Sequence, residues 1–228
     1  MVEIVPTILV HSKDEFIKRL ELVAPYVSRV QWDIMDGHFV PNTTFSDPLV
    51  FEEIEEKELW KGPDPDVSLL KIEADLMVQD PERWVELLKH PWVDRLIFHV
   101  ESKGNHQGWL ELIQEAESKS FSVGVTLDPD TPLERVWKFL PKVDLFQAMG
   151  VKSGFGGQKF VPSVLGRIRE VRDAFPNLPI SVDGGVNVET SPGMVAAGAT
   201  ELCAGSAIFE SDNVDEAIKA LEDASSNV

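Results

Sequence analysis

Residues 143–157 read VDLFQAMGVKSGFGG, an apolar run that leads directly into a glycine-rich loop. The same order returns in residues 180–185, ISVDGG, and in residues 201–206, ELCAGS. Apolar runs that are continuous rather than alternating are typical of strands buried on both faces of a parallel sheet. We therefore predict three successive parallel strands in this part of the chain, each followed by a loop that contains glycine.

Five further runs of the same kind precede this stretch, and segments of helical periodicity separate them. About eight strand–helix repeats in 228 residues match a single (β/α)8 TIM barrel, an α/β fold that reaches this length with one core. An open doubly wound sheet is the alternative, but it needs fewer repeats, and no GxGxxG pattern follows the first run. We predict one domain over residues 1–228, with the upstream strands in Ile4 to Leu9, Val30 to Ile34, Leu70 to Met77, Arg95 to Val100 and Ser122 to Leu127.

Charge and composition narrow the function classes. The net charge of −18 argues against nucleic acid or an anionic membrane surface as a partner. No apolar run approaches the length of a membrane span, and no basic segment precedes an apolar stretch at the N-terminus, so a cytoplasmic location is expected. The single cysteine, Cys203, fits a reducing compartment and lies in an apolar run, where a buried, inert thiol is expected.

Three carboxylates fall at the ends of predicted strands. In a TIM barrel these C-terminal ends and the loops after them build the active site. Gln31 and Asp33 alternate with apolar neighbours, so both point to the same side of the second strand. Asp75 and Asp183 hold comparable places on the third and seventh strands. Any one aspartate could simply cap the following loop, but three buried carboxylates are costly without pairing or a metal, which favours a functional site.

The glycine-rich loops after the last three strands indicate a phosphate site. Glycine lets backbone N–H groups approach a ligand closely, and loops after the last strands of such barrels often bind phosphate. Backbone amides need no basic side chain, which reconciles an anionic ligand with an acidic chain. One Gly-Gly pair is usually only a turn, but three consecutive loops carry more weight. The residues assigned to this site are Gly154, Phe155, Gly156, Gly157, Gly184, Gly185, Gly205 and Ser206.

From the first strand to residue 209 the chain resembles the ribulose-phosphate 3-epimerases, a family of ribulose-phosphate-binding barrels. The most specific stretches are DIMDGHFVPN at residues 33–42 and GFGGQKF at residues 154–160, both too long to match by chance. Shorter matching stretches are LMV at 76–78, FHVE at 98–101, TPL at 131–133, VDGGV at 182–186 and AGSAIF at 204–209. The resemblance implies an isomerase that interconverts ribulose 5-phosphate and xylulose 5-phosphate.

The resemblance also implies roles for individual residues. Asp33 and Asp183 would be the paired acid and base, because inverting a stereocentre requires removing a proton on one face and returning it on the other. The enediolate intermediate carries a charge that a divalent metal would stabilise. Thr7 keeps the hydroxyl of the family's usual serine and joins Met35 and Met77 among the substrate contacts. The expected partner is a small sugar phosphate, and the expected assembly is a homo-oligomer.

The sequence departs from the family at the metal site. The family's usual ligands are two histidines and two aspartates, but Gln31 and Asp75 stand at the histidine positions. The ligand set that remains offers only oxygen, which suits magnesium or manganese better than zinc or iron. Without a metal, the three close carboxylates would share protons and have raised pKa values. We therefore predict magnesium or manganese, or no metal at all, on Gln31, Asp33, Asp75 and Asp183.

Two other functions stay open at this point. The first is a catalytically silent barrel that binds a sugar phosphate as a sensor or scaffold. The second is a sister sugar-phosphate decarboxylase or synthase, but those enzymes carry an Asp-x-Lys-x-x-Asp motif on the third strand, and no lysine stands in that pattern around Asp75. Binding alone would not require carboxylates on both faces of a substrate, so Asp33 and Asp183 together favour catalysis.

Overall fold

Eight parallel strands close into a barrel in the computed structural model, which describes residues 2–58, 70–103 and 106–226. Each strand pairs with its neighbours in sequence, and the last strand pairs with the first to complete the ring. The predicted (β/α)8 TIM barrel is therefore confirmed. The strands are β1 (Glu3–Ile8), β2 (Arg29–Met35), β3 (Lys71–Met77), β4 (Val93–His99), β5 (Ser122–Leu127), β6 (Leu145–Met149), β7 (Ile180–Asp183) and β8 (Glu201–Ala204).

Helices follow the strands and form the outer layer of the barrel. The first helix begins after Ser12, whose side-chain oxygen accepts a hydrogen bond from the backbone N–H of Glu15 (3.3 Å) and so caps the helix. Within the described residues the α-helices are α1 (Lys13–Val23), α2 (Val50–Glu56), α3 (Glu82–Leu87), α4 (His106–Ser118), α5 (Glu134–Trp137), α6 (Val164–Ala174), α7 (Ser191–Ala197), α8 (Ser206–Phe209) and α9 (Val214–Ser226).

The connection between β2 and β3 was expected to be irregular. The sequence from Glu52 to Asp66 is acidic and then rich in proline, which predicts a helix followed by a solvated excursion. The helix is present as α2, which buries Val50, Phe51 and Ile54. The predicted excursion, residues 61–66, lies outside the described residues.

Alternation along the strands separates an apolar layer from a polar one. Trp32, Ile34 and Phe98 belong to one continuous apolar core and are fully buried. Residues at the alternate strand positions, such as Gln31, Asp33 and Asp75, point into the barrel. They are polar and buried. The strand register sets Asp33 level with Asp75. The fold therefore gathers polar side chains at defined heights inside the barrel.

Charged side chains occupy the N-terminal end of the barrel interior. Arg95 Nη1 donates hydrogen bonds to Glu73 Oε2 (2.8 Å) and Glu201 Oε2 (2.7 Å), so one guanidinium joins β4 to β3 and to β8 across the barrel. Arg29 donates to both carboxylate oxygens of Asp94, at 2.6 and 3.0 Å. Its Nη1 also lies 3.8 Å from Glu73 Oε2. We call these five residues the lower network.

Candidate active site

Asp33, Asp75 and Asp183 meet inside the C-terminal end of the barrel. Carboxylate oxygens of the three residues all lie within 4.8 Å of one another, and all three side chains are buried. They come from β2, β3 and β7, so only closure of the barrel brings Asp183 to the other two. The structure brings the three aspartates together, as the sequence predicts. Together with the side chains that hydrogen-bond to them, they form the upper cluster: Gln31, Asp33, Asp75, His99, Gln147 and Asp183.

Gln31 links two of these carboxylates. Its Nε2 donates hydrogen bonds to Asp33 Oδ1 (2.9 Å) and to Asp183 Oδ2 (3.1 Å). Its Oε1 is buried and has no hydrogen-bond partner among the described residues. The amide therefore holds the two carboxylates at a common distance and leaves one oxygen unsatisfied.

Asp75 is engaged by two other side chains. His99 Nε2 lies 3.0 Å from Asp75 Oδ1, and Gln147 Nε2 donates to Asp75 Oδ2 at 3.1 Å. Both partners are fully buried, and the His99 ring packs against Phe39 with ring centroids 5.2 Å apart. Gln147 was missed by the sequence reasoning, although its place between Leu145 and Met149 on β6 puts it on the inner face by simple alternation.

Burial and mutual repulsion shift the acidity of the upper cluster. Burial raises the pKa of Asp33 well above its usual range, and the charges of Asp183 and Asp75 act in the same direction. Burial, with the charge of Asp75, raises the pKa of Asp183 to about 7. Burial opposes a charge on His99, but Asp75 outweighs it and raises the pKa of the ring. Protons are therefore held inside the cluster at neutral pH.

The cluster has the donor atoms of a site for a hard divalent cation. One carboxylate oxygen from each of Asp33, Asp75 and Asp183 lies within 4.8 Å of the other two, and Gln31 Oε1 is a nearby oxygen without a partner among the described residues. Divalent cations with oxygen ligands are bound by such sets in proteins. The three aspartates therefore fit a divalent metal. The Gln31 oxygen joins them only when the amide turns over, because Nε2 and not Oε1 faces Asp33 and Asp183.

A cavity of about 230 Å³ opens above the cluster. Asp33 and Asp183 line it, whereas Gln31, Asp75, His99 and Gln147 are not among its lining residues, which places these four beneath its floor. Cys203 also reaches the floor, but burial raises the pKa of its thiol well above the usual range, as expected of an inert cysteine. All residues predicted to contact substrate line the cavity: Thr7, Met35, Met77, Gly154, Phe155, Gly156, Gly157, Gly184, Gly185, Gly205 and Ser206.

Comparison with known proteins assigns this chain to a family. The model of the ribulose-phosphate 3 epimerase family matches residues 3–209. The chain belongs to the ribulose-phosphate 3-epimerase family. Ribulose-phosphate 3-epimerases of Eremothecium gossypii and Bacillus subtilis are 34% and 37% identical to it, over 84% and 83% of this chain and 79% and 83% of theirs. A protein of Oryza sativa described as the cytoplasmic isoform of the enzyme is 38% identical over 83% of this chain and 78% of its own length.

Family membership confirms the predicted class of enzyme. Ribulose-phosphate 3-epimerases are isomerases that interconvert ribulose 5-phosphate and xylulose 5-phosphate, and the matches come from bacteria, fungi and plants. The comparisons therefore favour an epimerase over a sister decarboxylase or synthase. No helix within the described residues is long and apolar enough to cross a membrane.

Solved structures of other enzymes share the barrel of this epimerase family member. A 3-hexulose-6-phosphate synthase superposes with a TM-score of 0.69 at 19% identity, covering 97% of this chain and 99% of that one. The orotidine 5'-phosphate decarboxylase of Pyrococcus horikoshii superposes with a TM-score of 0.65 at 18% identity, covering 99% and 100%. At these identities the likeness shows only the shared fold.

Four of the cavity glycines, Gly154, Gly157, Gly184 and Gly185, have a positive φ and are required by the fold itself. Gly184 and Gly185 have φ of +98° and +69°, a region that other residues rarely adopt. A Cβ on Gly185 would also lie 2.7 Å from Phe160 Cα. By contrast, a Cβ on Gly156 would meet no atom within 4 Å, and one on Gly205 would come no nearer than 3.4 Å to Thr7 O. Gly156 and Gly205 are therefore the positions where a side chain would affect a ligand rather than the fold.

Proposed function

We propose that this epimerase moves the C3 proton of ribulose 5-phosphate between Asp33 and Asp183. The observation that carries the proposal is that these two carboxylates line the cavity together, with raised pKa values, from strands on different sides of the barrel. General acid–base catalysis is most effective when the pKa of the catalytic group lies near the working pH. Asp183, with a pKa of about 7, meets that condition.

The proton transfer proceeds in two balanced steps. The ionised carboxylate takes the proton from C3, and the electrons of the broken C–H bond move into an enediolate whose negative charge rests on the C2 oxygen. The protonated carboxylate on the opposite face then returns its proton to C3, and the enediolate collapses to the ketone. Gln31 hydrogen-bonds to both carboxylates and so fixes their separation during the transfer.

We propose that Asp75 acts from beneath the cavity. Its oxygens contact His99 and Gln147, which hold the carboxylate in place, and it does not line the cavity. Its charge raises the pKa of both Asp33 and Asp183, which keeps a proton available for the second step.

The proposed metal is magnesium or manganese rather than zinc or iron. The candidate ligands Gln31, Asp33, Asp75 and Asp183 supply only oxygen, the donor that those hard ions prefer. When bound, such a cation would stabilise the negative charge of the enediolate oxygen.

The decisive experiment is solvent exchange during turnover. Purified protein is incubated with ribulose 5-phosphate in deuterated buffer, with and without added magnesium or manganese, and NMR follows C3 deuteration and xylulose 5-phosphate. We expect C3 deuteration and xylulose 5-phosphate to appear together. Binding of the sugar phosphate without any C3 exchange in either condition would support the silent binding barrel and contradict the proposal.

We propose that the glycine-rich loops hold the phosphate through backbone amides. Gly156→Val and Gly205→Val should weaken sugar-phosphate binding strongly, because the fold leaves room for a Cβ at both positions while the added side chain blocks approach of the ligand. Gly166→Val is the matched control, since its Cβ also meets no atom within 4 Å but the residue lies in α6 outside the cavity. Unchanged affinity in both cavity variants would remove this phosphate site.

A cytoplasmic location and a homo-oligomeric state complete the proposal. The relative described as a cytoplasmic isoform supports the location. The homo-oligomer stays a prediction, which light scattering of the purified protein would check.

A further inference from the structure

Arg19 brings a positive charge to a cavity that is otherwise acidic. The described residues that line the cavity include Asp33, Asp183 and Glu210, but only two cations, Arg19 and Lys152. Lys152 is exposed, whereas the Arg19 side chain is 27% exposed. A phosphate dianion that enters this space meets strong repulsion from the carboxylates, and a fixed cation in the wall would offset it.

The guanidinium of Arg19 is held in position by three contacts. Its Nη1 donates to the backbone oxygen of Leu9 (3.2 Å), and its Nη2 donates to Glu15 Oε1 (3.1 Å). Its Cζ lies 4.9 Å from the centre of the Phe209 ring. These contacts use two of the five N–H donors of the fork, so others stay available for an oxyanion.

The same contacts place Arg19 on the wall next to the β8 loop. Phe209 closes the short segment that starts at Gly205 and Ser206, and Gly205 itself lies beside Thr7 of β1. Leu9 directly follows β1. Arg19 therefore contacts the residue after β1 and the end of the β8 loop, and it lines the same cavity as Gly205 and Ser206, two of the residues assigned to the phosphate.

We propose that Arg19 is a specificity-determining residue that pairs with the phosphate group of the substrate. The inference rests on the proposed function for the choice of a sugar phosphate. The carboxylate of Glu15 accepts a hydrogen bond from Arg19 and partly offsets its positive charge, so Glu15 tunes the strength of the pair.

The test compares phosphate affinity in variants of α1. Arg19→Gln should weaken binding of inorganic phosphate about 10- to 100-fold, the size of one or two charge-assisted hydrogen bonds. It should raise KM for ribulose 5-phosphate by a similar factor with little change in kcat, because the phosphate is remote from C3. Phosphorus NMR titration measures the first quantity without requiring turnover. Lys18→Gln removes the same charge from an exposed neighbour on the same helix and should leave both quantities unchanged.

Two further variants keep the test informative if Arg19→Gln folds poorly. Arg19→Lys keeps the charge but loses the planar set of N–H donors of the guanidinium, and it should bind phosphate with intermediate affinity. Glu15→Gln frees the guanidinium from its counter-charge, and it should bind phosphate more tightly than the wild type. Equal phosphate affinity in the wild type and a folded Arg19→Gln variant would overturn the proposal, as would an equal loss in Lys18→Gln. Loss of phosphate binding in Arg19→Gln without epimerase activity in the wild type would uphold Arg19 and refute the proposed reaction.

Discussion

The two ends of the barrel interior treat buried carboxylates in opposite ways. In the lower network the buried Glu73 and Glu201 and the partly exposed Asp94 face two guanidinium groups, which are permanently charged. In the upper cluster three aspartates face two neutral amides and one imidazole. The fold therefore holds one set of carboxylates with fixed cations and leaves the other set short of positive charge.

This difference separates a structural role from a chemical one. Burial raises the pKa of Glu73 to about 8 although Arg95 and Arg29 act to lower it, so a raised pKa alone does not mark the reactive set. Access to substrate separates the two sets, because Asp33 and Asp183 line the cavity whereas Glu73 and Glu201 do not. Carboxylates that crowd together without a permanent cation must share protons, and their pKa values move towards neutrality. The lower network is thus suited to hold strands together, and the upper cluster is suited to move a proton.

Loss of Arg95 is the change that should break the lower network most severely. Arg95→Met leaves Glu73 and Glu201 buried without their shared partner, and we expect a loss of about 3–5 kcal/mol in the free energy of unfolding. Denaturant titration measures it, and the rate per folded molecule should change little. Arg29→Met is the control with a smaller expected loss, because its main partner Asp94 is partly exposed. An equal loss in both variants would contradict the central place of Arg95.

Removing a catalytic carboxylate should lower the rate while leaving the stability intact, the reverse of what is expected for Arg95. Asp33→Asn and Asp183→Asn should each lower kcat about a hundredfold or more, the usual contribution of an acid or base. Stability should hold or rise, since one of three crowded charges is gone. Steady-state kinetics and thermal melting check the two halves of the prediction, with Asp94→Asn as the lower-network control. If one variant exchanges solvent deuterium at C3 without completing epimerisation, that result would support the assignment of the two carboxylates to opposite faces of C3. A wild-type rate in either variant would contradict the assignment.

The metal preference of the upper cluster is a third way to sharpen the comparison. Protein purified without added metal should contain little zinc or iron, and its activity should rise with manganese or magnesium. The double change Gln31→His and Asp75→His should raise zinc affinity about tenfold or more, which is about 1.4 kcal/mol. Gln31→His alone keeps the contact between Asp75 and His99 and should give part of the gain. Stoichiometric zinc in the unmodified protein by elemental analysis would contradict the prediction.

The last expected effect is a pH dependence of stability. Burial raises the pKa of Asp183 from 3.8 to about 7, so the folded state holds this proton more tightly than the unfolded state. The contribution is therefore full below about pH 4 and is lost as the pH rises through about 7. In the presence of a chelator, the melting temperature of the wild type should fall more between pH 5 and 8 than that of Asp183→Asn, by about 2–4 °C for each kcal/mol. Parallel curves for the two proteins would show that Asp183 titrates normally.

Sequence alone was sufficient for the fold and for much of the site. Continuous apolar runs recur eight times with helical segments between them, and that repetition admits few architectures besides the barrel. The period-two alternation of β2 already turns Gln31 and Asp33 to one side. The rule that loops after the strands form the site then selected the glycines that line the cavity.

Only the tertiary structure decided which of these groups meet. The hydrogen bond from Gln31 to Asp183 spans 152 residues of sequence, and the one from Gln147 to Asp75 spans 72. Such pairs depend on closure of the barrel and on strand register, which local patterns do not encode. Arg19 also depends on tertiary structure. In the sequence it is an ordinary polar residue of an amphipathic helix, and only the folded chain places it against Phe209 in the cavity wall. Local physics sets the direction of each side chain, and the closed ring of strands sets its neighbours.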